Sequence, residues 1–186
     1  MDREIAKLSQ RISRLRTRMA IRSAQAQVLS VGPDFFLEAP FAVRGGENIT
    51  VGRGFRAMAG LNLFANDGRL VIGDDCSLNT NVYLGASNGS ITLGSRVLIG
   101  PNVVLRAADH ELVEGEPVVS QGHVRGHIEI ENDVWIGANC VITRDVRVQS
   151  GSVIGAGSVV TRDIPPGVIV GGVPARLIRP RGNSSR

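Results

Sequence analysis

Aliphatic side chains recur every sixth residue over much of the chain. From residue 130 onward they are Ile130, Ile136, Ile142, Val148, Ile154 and Val160. Four residues after each of these stands a small or apolar residue: Val134, Cys140, Val146, Ser152, Ser158 and Ile164. A hexapeptide period is typical of a parallel β-helix, whose stacked coils bury a continuous apolar column that no single coil can bury alone. The pattern predicts an all-β solenoid with three hexapeptides in each triangular coil.

The same phase extends toward the N-terminus. Its aliphatic positions there are Val51, Ala57, Leu63, Ile72, Leu78, Leu84, Leu93, Ile99 and Leu105. Coils that begin at residues 51, 72 and 93 are 21 residues apart, and the extra residues of each fall after the third hexapeptide, near 66–68 and 88–90. A longer insertion, residues 111–129, falls at the same point of its coil. We expect all three insertions to lie along one corner of the prism, where a rigid scaffold can present functional loops.

The segments that flank the repeat differ from it. Residues 1–30 predict a basic amphipathic helix, since residues 3–29 lack Gly and Pro and an apolar seam recurs at spacings of three and four. The seam consists of Ile5, Leu8, Ile12, Leu15 and Met19. Leu37, Phe41 and Val43 are expected to form a first coil that caps the open end of a β-helix domain covering residues 31–179. Residues 180–186 are expected to be a frayed tail.

Composition agrees with a core of thin aliphatic layers. Aromatic residues make up only 4% of the 186 residues, against 23 glycines. Cys76 and Cys140 both occupy the inward fourth position of a hexapeptide, so we expect buried small hydrophobes rather than a disulfide or a nucleophile. No stretch approaches the roughly 18 apolar residues of a membrane span, and the first ten residues lack the apolar core of a signal peptide. We therefore expect a cytoplasmic protein.

The net charge of +4 is concentrated in the predicted helix. Residues 1–22 contain seven Lys or Arg and two acidic residues, whereas the rest of the chain has 14 basic and 15 acidic residues. Such a helix can pack on its own solenoid or on a neighbouring subunit's helix as a short coiled coil. Alternatively, it can rest on an anionic membrane surface. Nucleic-acid binding is not expected, because no aromatic platform or recognition motif accompanies the arginines.

Three histidines, His110, His123 and His127, lie at or inside the long insertion, and the chain has no others. Imidazole is the side chain best suited to accept a proton near neutral pH. Three histidines also suit zinc, but no acidic residue is spaced to orient them and a loop is a poor zinc cage. We therefore predict a proton acceptor here and no metal site.

Three phrases carry a family resemblance. They are DVWIGA at 133–138, GSVIGAGSVVTRDIP at 151–165 and GVPAR at 172–176. With the hexapeptide run, they make residues 50–179 resemble the left-handed β-helix acyltransferases, and among these the maltose, galactoside and polysaccharide O-acetyltransferases. The resemblance implies a left-handed coil, against the usual right-handed crossover rule. It also implies acetyl-CoA as co-substrate and a homotrimer with clefts between neighbouring subunits.

The resemblance also implies a catalytic residue. In that family the catalytic histidine opens the protruding loop, sixteen residues after the Gly of an Ile-x-Ile-Gly unit; the unit here is residues 91–94, and the position is His110. His110 is thus the implied general base, which takes the proton of an acceptor hydroxyl as the hydroxyl attacks the thioester of acetyl-CoA.

An acceptor-binding Asn is implied in the same way. The family's Asn-x-Asn pattern matches Asn79-Thr80-Asn81, and either Asn79 or Asn81 can face the site. Asn88 stands where the sugar-acetylating relatives carry an Asp, which argues against copying their specificity. A corner ladder or turn is the alternative role for these asparagines. Trp135 follows an inward position and so points outward, either lining the acceptor or cofactor cleft or packing beneath the loop.

The family's coenzyme contacts map onto small residues and arginines. They are Ala138, Ala156, Thr161, Arg162, Arg176 and Arg179. Small corner residues let a pantetheine arm lie flat along the coils, and guanidinium groups suit its phosphates. The alternative is that the arginines form only a solvated basic rim.

The sequence thus predicts transfer of an acetyl group from acetyl-CoA to a hydroxyl of a saccharide, such as a polysaccharide precursor. An N-acetyltransferase acting on an amino sugar, or an acetyltransferase of an antibiotic such as chloramphenicol, is the first alternative, and Glu111 is the carboxylate it would use. A carbonic-anhydrase-like zinc protein and a non-catalytic solenoid are alternatives of other classes.

Overall fold

The computed structural model of the chain describes residues 2–28 and 30–182. Helix α1 (Asp2–Gln27) precedes three sheets, A, B and C. Sheet A contains β1 (Ser30–Val31), β4 (Ile49–Val51), β7 (Arg69–Ile72), β10 (Ser90–Leu93), β15 (His127–Ile130) and β18 (Val146–Val148). Sheet B contains β2 (Phe36–Leu37), β5 (Arg56–Ala57), β8 (Ser77–Leu78), β11 (Leu98–Ile99), β16 (Trp135–Ile136), β19 (Val153–Ile154), β21 (Val168–Gly171) and β22 (Arg176–Pro180). Sheet C contains β3 (Phe41–Arg44), β6 (Leu61–Phe64), β9 (Tyr83–Gly85), β12 (Val104–Arg106), β17 (Val141–Ile142) and β20 (Val159–Val160).

The chain visits sheets A, B and C in turn, coil after coil. The fold is a left-handed parallel β-helix, as predicted. The register places residues of the same hexapeptide phase on top of one another; in sheet B, Leu78 pairs with Ile99, and Ile99 pairs with Ile136. Strand neighbours are parallel except β21 and β22, which run antiparallel. Two strands outside these sheets, β13 (Ala108–His110) and β14 (His123–Arg125), form an antiparallel hairpin.

The repeated inward positions form one apolar column. Every aliphatic position of the phase from Val51 to Val160 is buried, and so are the two serines of the fourth position, Ser152 and Ser158. Cys76 and Cys140 are buried free thiols, as expected. Burial raises the pKa of both thiols above its usual value, which disfavours the thiolate that a nucleophile requires.

One corner of the prism lies between sheets B and C. From the second coil to the sixth, a residue with positive φ stands at the same point of this corner: Gly60, Asn81, Asn102, Asn139 and Gly157. Three of these asparagines are linked side chain to side chain, since Asn81 donates to Asn102 (3.2 Å) and Asn102 donates to Asn139 (3.1 Å). We call this edge the ladder corner.

The insertions stack along the corner between sheets C and A, which we call the loop corner. The Asn88 amide donates to the Asn66 carbonyl (3.0 Å), and the Ser90 amide donates to the Gly126 carbonyl (3.0 Å). A Cβ at Gly68 would lie only 1.9 Å from the Ala86 carbonyl oxygen, so the successive insertions are in close contact. The prediction that all the insertions share one corner is confirmed.

Helix α1 closes one end of the solenoid, and the face that packs there is not the predicted apolar seam. Ala24 and Val28 are buried and Ile21 packs against the core, whereas Ile5, Ile12, Leu15 and Met19 remain exposed. The helix thus packs on the chain's own solenoid, as one alternative predicted, but through this face and not through the seam. The first coil, β1 to β3, lies under the helix as a full coil. Among the described residues, no helix is both long enough and apolar enough to cross a bilayer.

The other end of the solenoid is closed by the β21–β22 hairpin. Pro180 ends β22, and Arg181 donates to the Gly151 carbonyl (2.9 Å) and the Asp133 carboxylate (2.9 Å). The expectation of a frayed tail from residue 180 is therefore wrong for Pro180 and Arg181, because backbone pairing and these bonds hold them. Residues 183–186 lie outside the described residues.

Candidate functional site

His110 stands at the end of a hairpin that leaves the loop corner. Strands β13 and β14 pair His110 directly with His123, and the two exposed rings have centroids 4.5 Å apart at an interplanar angle of 36°. The Glu111 amide then donates to the Gly122 carbonyl (3.0 Å), which continues the hairpin by one more pair. The insertion is thus an ordered hairpin at its base, and it carries two imidazoles side by side.

The tip of the insertion is ordered by one amide side chain and is apolar on its surface. Gln121 accepts a hydrogen bond from the Val113 amide (2.7 Å) and donates to the Glu116 carbonyl (2.8 Å). Leu112 and Val119 are nevertheless 80% and 92% exposed. Exposed aliphatic side chains on an ordered loop are unfavourable in water and favour contact with another surface.

An ion-pair clamp fixes both ends of the insertion to the next coil. The Arg144 guanidinium donates to the carboxylate of Asp109 (Nε to Oδ2, 2.6 Å) and also pairs with Asp145. Asp145 in turn accepts from the His127 amide (3.1 Å). The hydrogen bond to Asp109, above all, raises the pKa of the Arg144 guanidinium above its usual value, so the clamp keeps its positive charge. Because Asp109 immediately precedes His110, the clamp positions the backbone that bears the imidazole.

The three histidines do not converge on one point. His110 and His123 lie together, whereas the Nδ1 atom of His127 lies 3.6 Å from an Asp145 oxygen. Across residues 2–28 and 30–182, no group of three or more His, Cys, Asp or Glu side chains is placed to hold a metal ion. The arrangement gives no geometric support to the zinc-protein alternative.

The two candidate acceptor residues of the Asn-x-Asn pattern lie at the ladder corner. Asn81 is part of the asparagine ladder, the alternative role considered for it. The side-chain oxygen of Asn79 accepts from the Thr80 amide (2.7 Å), which leaves the amide nitrogen of Asn79 directed away from that bond. Asn88 lies at the other edge, in the stack of insertions at the loop corner, with a φ of 56°.

Trp135 shares a surface cavity with Asn79. It points outward from sheet B and is 54% exposed, as its position in the repeat predicts. A cavity of about 350 Å³ on this face is lined by Asn79, Leu98, Trp135 and residues of the neighbouring sheet B strands, Arg56 and Ser77 among them. His110 is not among the residues that line it.

The predicted coenzyme residues fall into separate groups. Ala138 and Ala156 stack at the ladder corner, where a Cβ at Gly137 would lie 2.7 Å from the Ala156 nitrogen. Arg176 extends this line, because its neighbour Ala175 donates to the Val159 carbonyl (2.8 Å) next to the same corner. Ala138, Ala156 and Arg176 thus lie in line along the ladder corner.

The remaining coenzyme candidates lie elsewhere. Thr161 and Arg162 follow β20 and are exposed at the loop corner. Arg179 borders a cavity of about 310 Å³ on sheet B, with Arg96 and Arg181 nearby. The three predicted arginines therefore do not form one cluster within a single chain.

The candidate residues of one chain thus occupy two corners. Asn79, Ala138 and Ala156 lie at the ladder corner, and His110 lies at the loop corner. The five-residue advance from Asn102 to Ala107 across sheet C spans about 16 Å. A single chain therefore does not bring His110 close to Ala138 and Ala156.

Two contacts of the site region were not predicted from the sequence. His123 was a candidate there, but its pairing with His110 was not predicted, because that pairing depends on the register of the hairpin. Arg144 was missed because it belongs to the next coil, 35 residues from Asp109. Its signal was a charged pair, Arg144 and Asp145, at a corner that the repeat already located.

Two sequence comparisons are consistent with the fold. A family pattern described as "Bacterial transferase hexapeptide (six repeats)" matches residues 127–162. The galactoside O-acetyltransferase of Escherichia coli (strain K12) is 38% identical over 155 residues, which cover 81% of this chain and 63% of that protein. The chain therefore spans less than two thirds of the length of this relative.

Solved structures add two likenesses. A galactoside acetyltransferase in complex with coenzyme A has a TM-score of 0.60 and 35% sequence identity, over 84% of this chain and 67% of that chain. AntD, an N-acyltransferase from Bacillus cereus in complex with dTDP-4-amino-4,6-dideoxyglucose and coenzyme A, has a TM-score of 0.78 over 87% of this chain and 88% of that chain. Its sequence identity is 21%, so the likeness to AntD concerns the fold alone.

Proposed function

Because the chain belongs to the bacterial hexapeptide-repeat transferases, we propose that it transfers an acetyl group from acetyl-CoA to a saccharide hydroxyl, with His110 as the general base. The galactoside relative favours an oxygen acceptor. We place the protein in the cytoplasm, where acetyl-CoA is made and used.

One observation carries this proposal. His110 is an exposed imidazole on a backbone that is held from two directions, by the β14 strand and by the Asp109–Arg144 ion pair (2.6 Å). A general base must be held at a fixed position, because proton transfer requires hydrogen-bond distance to the substrate. Its accepting nitrogen must also be free of hydrogen bonds within the protein. The buried, protonated thiols offer no competing nucleophile.

The proposed step is a direct transfer. The acceptor oxygen attacks the thioester carbonyl carbon while the imidazole of His110 takes the hydroxyl proton. The tetrahedral adduct then collapses, the carbon–sulfur bond breaks, and the imidazolium returns the proton to the leaving thiolate. The products are an acetyl ester and free coenzyme A, and no acyl-enzyme forms.

The coenzyme groove is proposed to lie between subunits of a homotrimer. Ala138 and Ala156 leave room for the pantetheine arm, and Arg176 at the end of the groove suits a phosphate. Since His110 of the same chain lies across sheet C, we infer that the loop corner of one subunit meets the ladder corner of the next. The exposed Leu112 and Val119 at the tip of the insertion fit such a contact.

In this arrangement Thr161, Arg162 and Arg179 remain proposed coenzyme contacts. Thr161 and Arg162 would reach the coenzyme from the loop corner of the subunit that supplies His110. Asn79 and Trp135, which border one cavity beside the ladder corner, are proposed to hold the acceptor. Asn88 lies beneath the insertion and is proposed to contact the acceptor from the histidine side.

An amine acceptor is the second candidate. The carboxylate of Glu111 lies beside Gly122, about one residue beyond His110, where it can attract an ammonium group. A sugar amine would then be drawn to the base in its charged form and would have to lose a proton before attack. This alternative predicts that Glu111→Gln impairs transfer to amines more than transfer to alcohols.

A thiol-release assay tests the proposal. Purified protein is incubated with acetyl-CoA and a panel of sugars, nucleotide sugars, amino sugars and antibiotics, and free coenzyme A is titrated. We expect acceptor-dependent release that His110→Ala abolishes and that the matched loop variant His127→Gln retains. Product mass spectrometry that locates the acetyl group on nitrogen would favour the amine alternative. Acceptor-dependent release that survives in His110→Ala would contradict the assignment of the base.

A further inference from the structure

Helix α1 has two apolar faces on opposite sides. Leu15 and Ala24 are nine residues apart, about 2.5 turns of α-helix, and therefore point in opposite directions. The face with Ala24 and Val28 is buried on the first coil. On the other side the seam is largely uncovered by the residues that the structure describes, with Ile5, Leu15 and Met19 about 60% exposed.

Cations border this exposed seam. Arg11, Arg18 and Arg22 are exposed on α1 and make no ion pair within the described part of the chain. Lys7 has only a long contact with Glu4 (3.4 Å) between two largely exposed side chains. The solenoid beyond residue 22 carries 14 basic and 15 acidic residues, so it does not attract the helix by net charge.

The charge pattern also disfavours pairing with a second copy of the helix. If the seam is read as heptad positions a and d, Arg11 falls at g and Arg16 at the following e position. In a parallel coiled coil of identical helices, the g position of one helix faces the e position of the neighbouring helix, so an arginine would face an arginine. Like charges at these positions oppose self-association.

We propose that α1 docks on the surface of an anionic lipid bilayer. The aliphatic seam lies in the boundary between headgroups and acyl chains, and the flanking cations bind the lipid phosphates. An apolar stripe beside a Lys/Arg-rich face is the pattern of interfacial helices, and each cation near an anionic surface strengthens binding. The buried face then holds the solenoid, and with it the proposed site, close to the membrane.

Vesicle flotation of the full-length protein tests this proposal. Vesicles of phosphatidylcholine alone are compared with vesicles that contain about one third phosphatidylglycerol. We expect partition onto the anionic vesicles that weakens as salt is raised. Arg11→Glu is expected to lower that partition by about tenfold or more, whereas Arg69→Glu, the same charge change on the exposed face of β7, leaves it unchanged.

A second variant separates the membrane from a second copy. Leu15→Ser is expected to reduce vesicle partition while the molar mass measured by light scattering stays constant. Equal flotation with neutral and anionic vesicles would overturn the proposal. So would a Leu15→Ser protein of lower molar mass that partitions like the wild type, because the seam would then belong to a protein interface.

Discussion

The ladder corner and the loop corner belong to the same prism but differ in whether they carry inserted residues. At the ladder corner each coil's backbone touches the next, as shown by the 2.7 Å that separates a Cβ at Gly137 from the Ala156 nitrogen. At the loop corner the coils also touch, since a Cβ at Gly68 would lie 1.9 Å from the Ala86 carbonyl oxygen, but the chain carries insertions there, including a hairpin with His110. Because each coil keeps its apolar layer buried, inserted residues can extend outward from this corner without opening the core. The stacked coils are thus closely packed at both corners, and the hairpin that protrudes from the loop corner carries the reactive group.

The largest expected effect is at the loop corner. His110→Ala removes the proposed proton acceptor and should lower kcat/KM by about 10²–10⁴-fold, with an unchanged thermal midpoint because the side chain is exposed. Steady-state kinetics with thermal unfolding alongside check this. A variant within a factor of two of wild type would assign no catalytic role to the loop corner.

Loss of the clamp should have the next largest effect. Arg144→Met breaks the ion pair with Asp109 and should lower kcat by about 10- to 100-fold through misplacement of His110. KM for acetyl-CoA should change little, because the proposed coenzyme contacts at the ladder corner are unchanged. Partial recovery in Arg144→Lys is expected of a positioning role. A rise in KM with constant kcat would instead place Arg144 in the coenzyme site.

Glycine substitutions compare the stacked coils with the hairpin that protrudes from them. Gly137→Ala forces a Cβ against the backbone of the next coil and should destabilise the fold by about 1–3 kcal/mol. Gly122→Ala in the hairpin meets only the flexible Glu111 carboxylate at 3.3 Å and should stay within about 0.5 kcal/mol. Urea unfolding measures both. Equal losses would mean that the hairpin is packed as tightly as the stacked coils.

The smallest effect is expected at the remaining corner, between sheets A and B. Hydrogen bonds from the Ser150 hydroxyl and amide lower the pKa of Glu131 below its usual value. Its contribution to stability is therefore complete above the pKa of an unfolded Glu and is lost as pH falls through the lower folded pKa. Glu131→Gln should lower the urea midpoint slightly at pH 7, and the difference should vanish in strong acid. A constant difference across this range would contradict the linkage.

The predictability of the molecule follows the same division. The column from Val51 to Val160 was predictable because the hexapeptide period determines both where the strands lie and which side chains are buried. Where neighbours are remote in sequence, prediction failed: the Asp109–Arg144 pair crosses 35 residues, and the antiparallel β22 leaves the repeat altogether. The buried face of α1 was not predicted, because a small residue such as Ala24 gives a weaker hydrophobic signal than the larger seam residues such as Leu15.

A subunit-mixing experiment tests the central claim most directly. His110→Ala subunits lack the proposed base, and Ala138→Trp subunits lack room for the coenzyme. If the loop corner of one subunit serves the ladder corner of the next, trimers co-assembled from equal amounts should recover about a quarter of wild-type activity. Mixed assemblies no more active than either parent would contradict a site shared between the two corners.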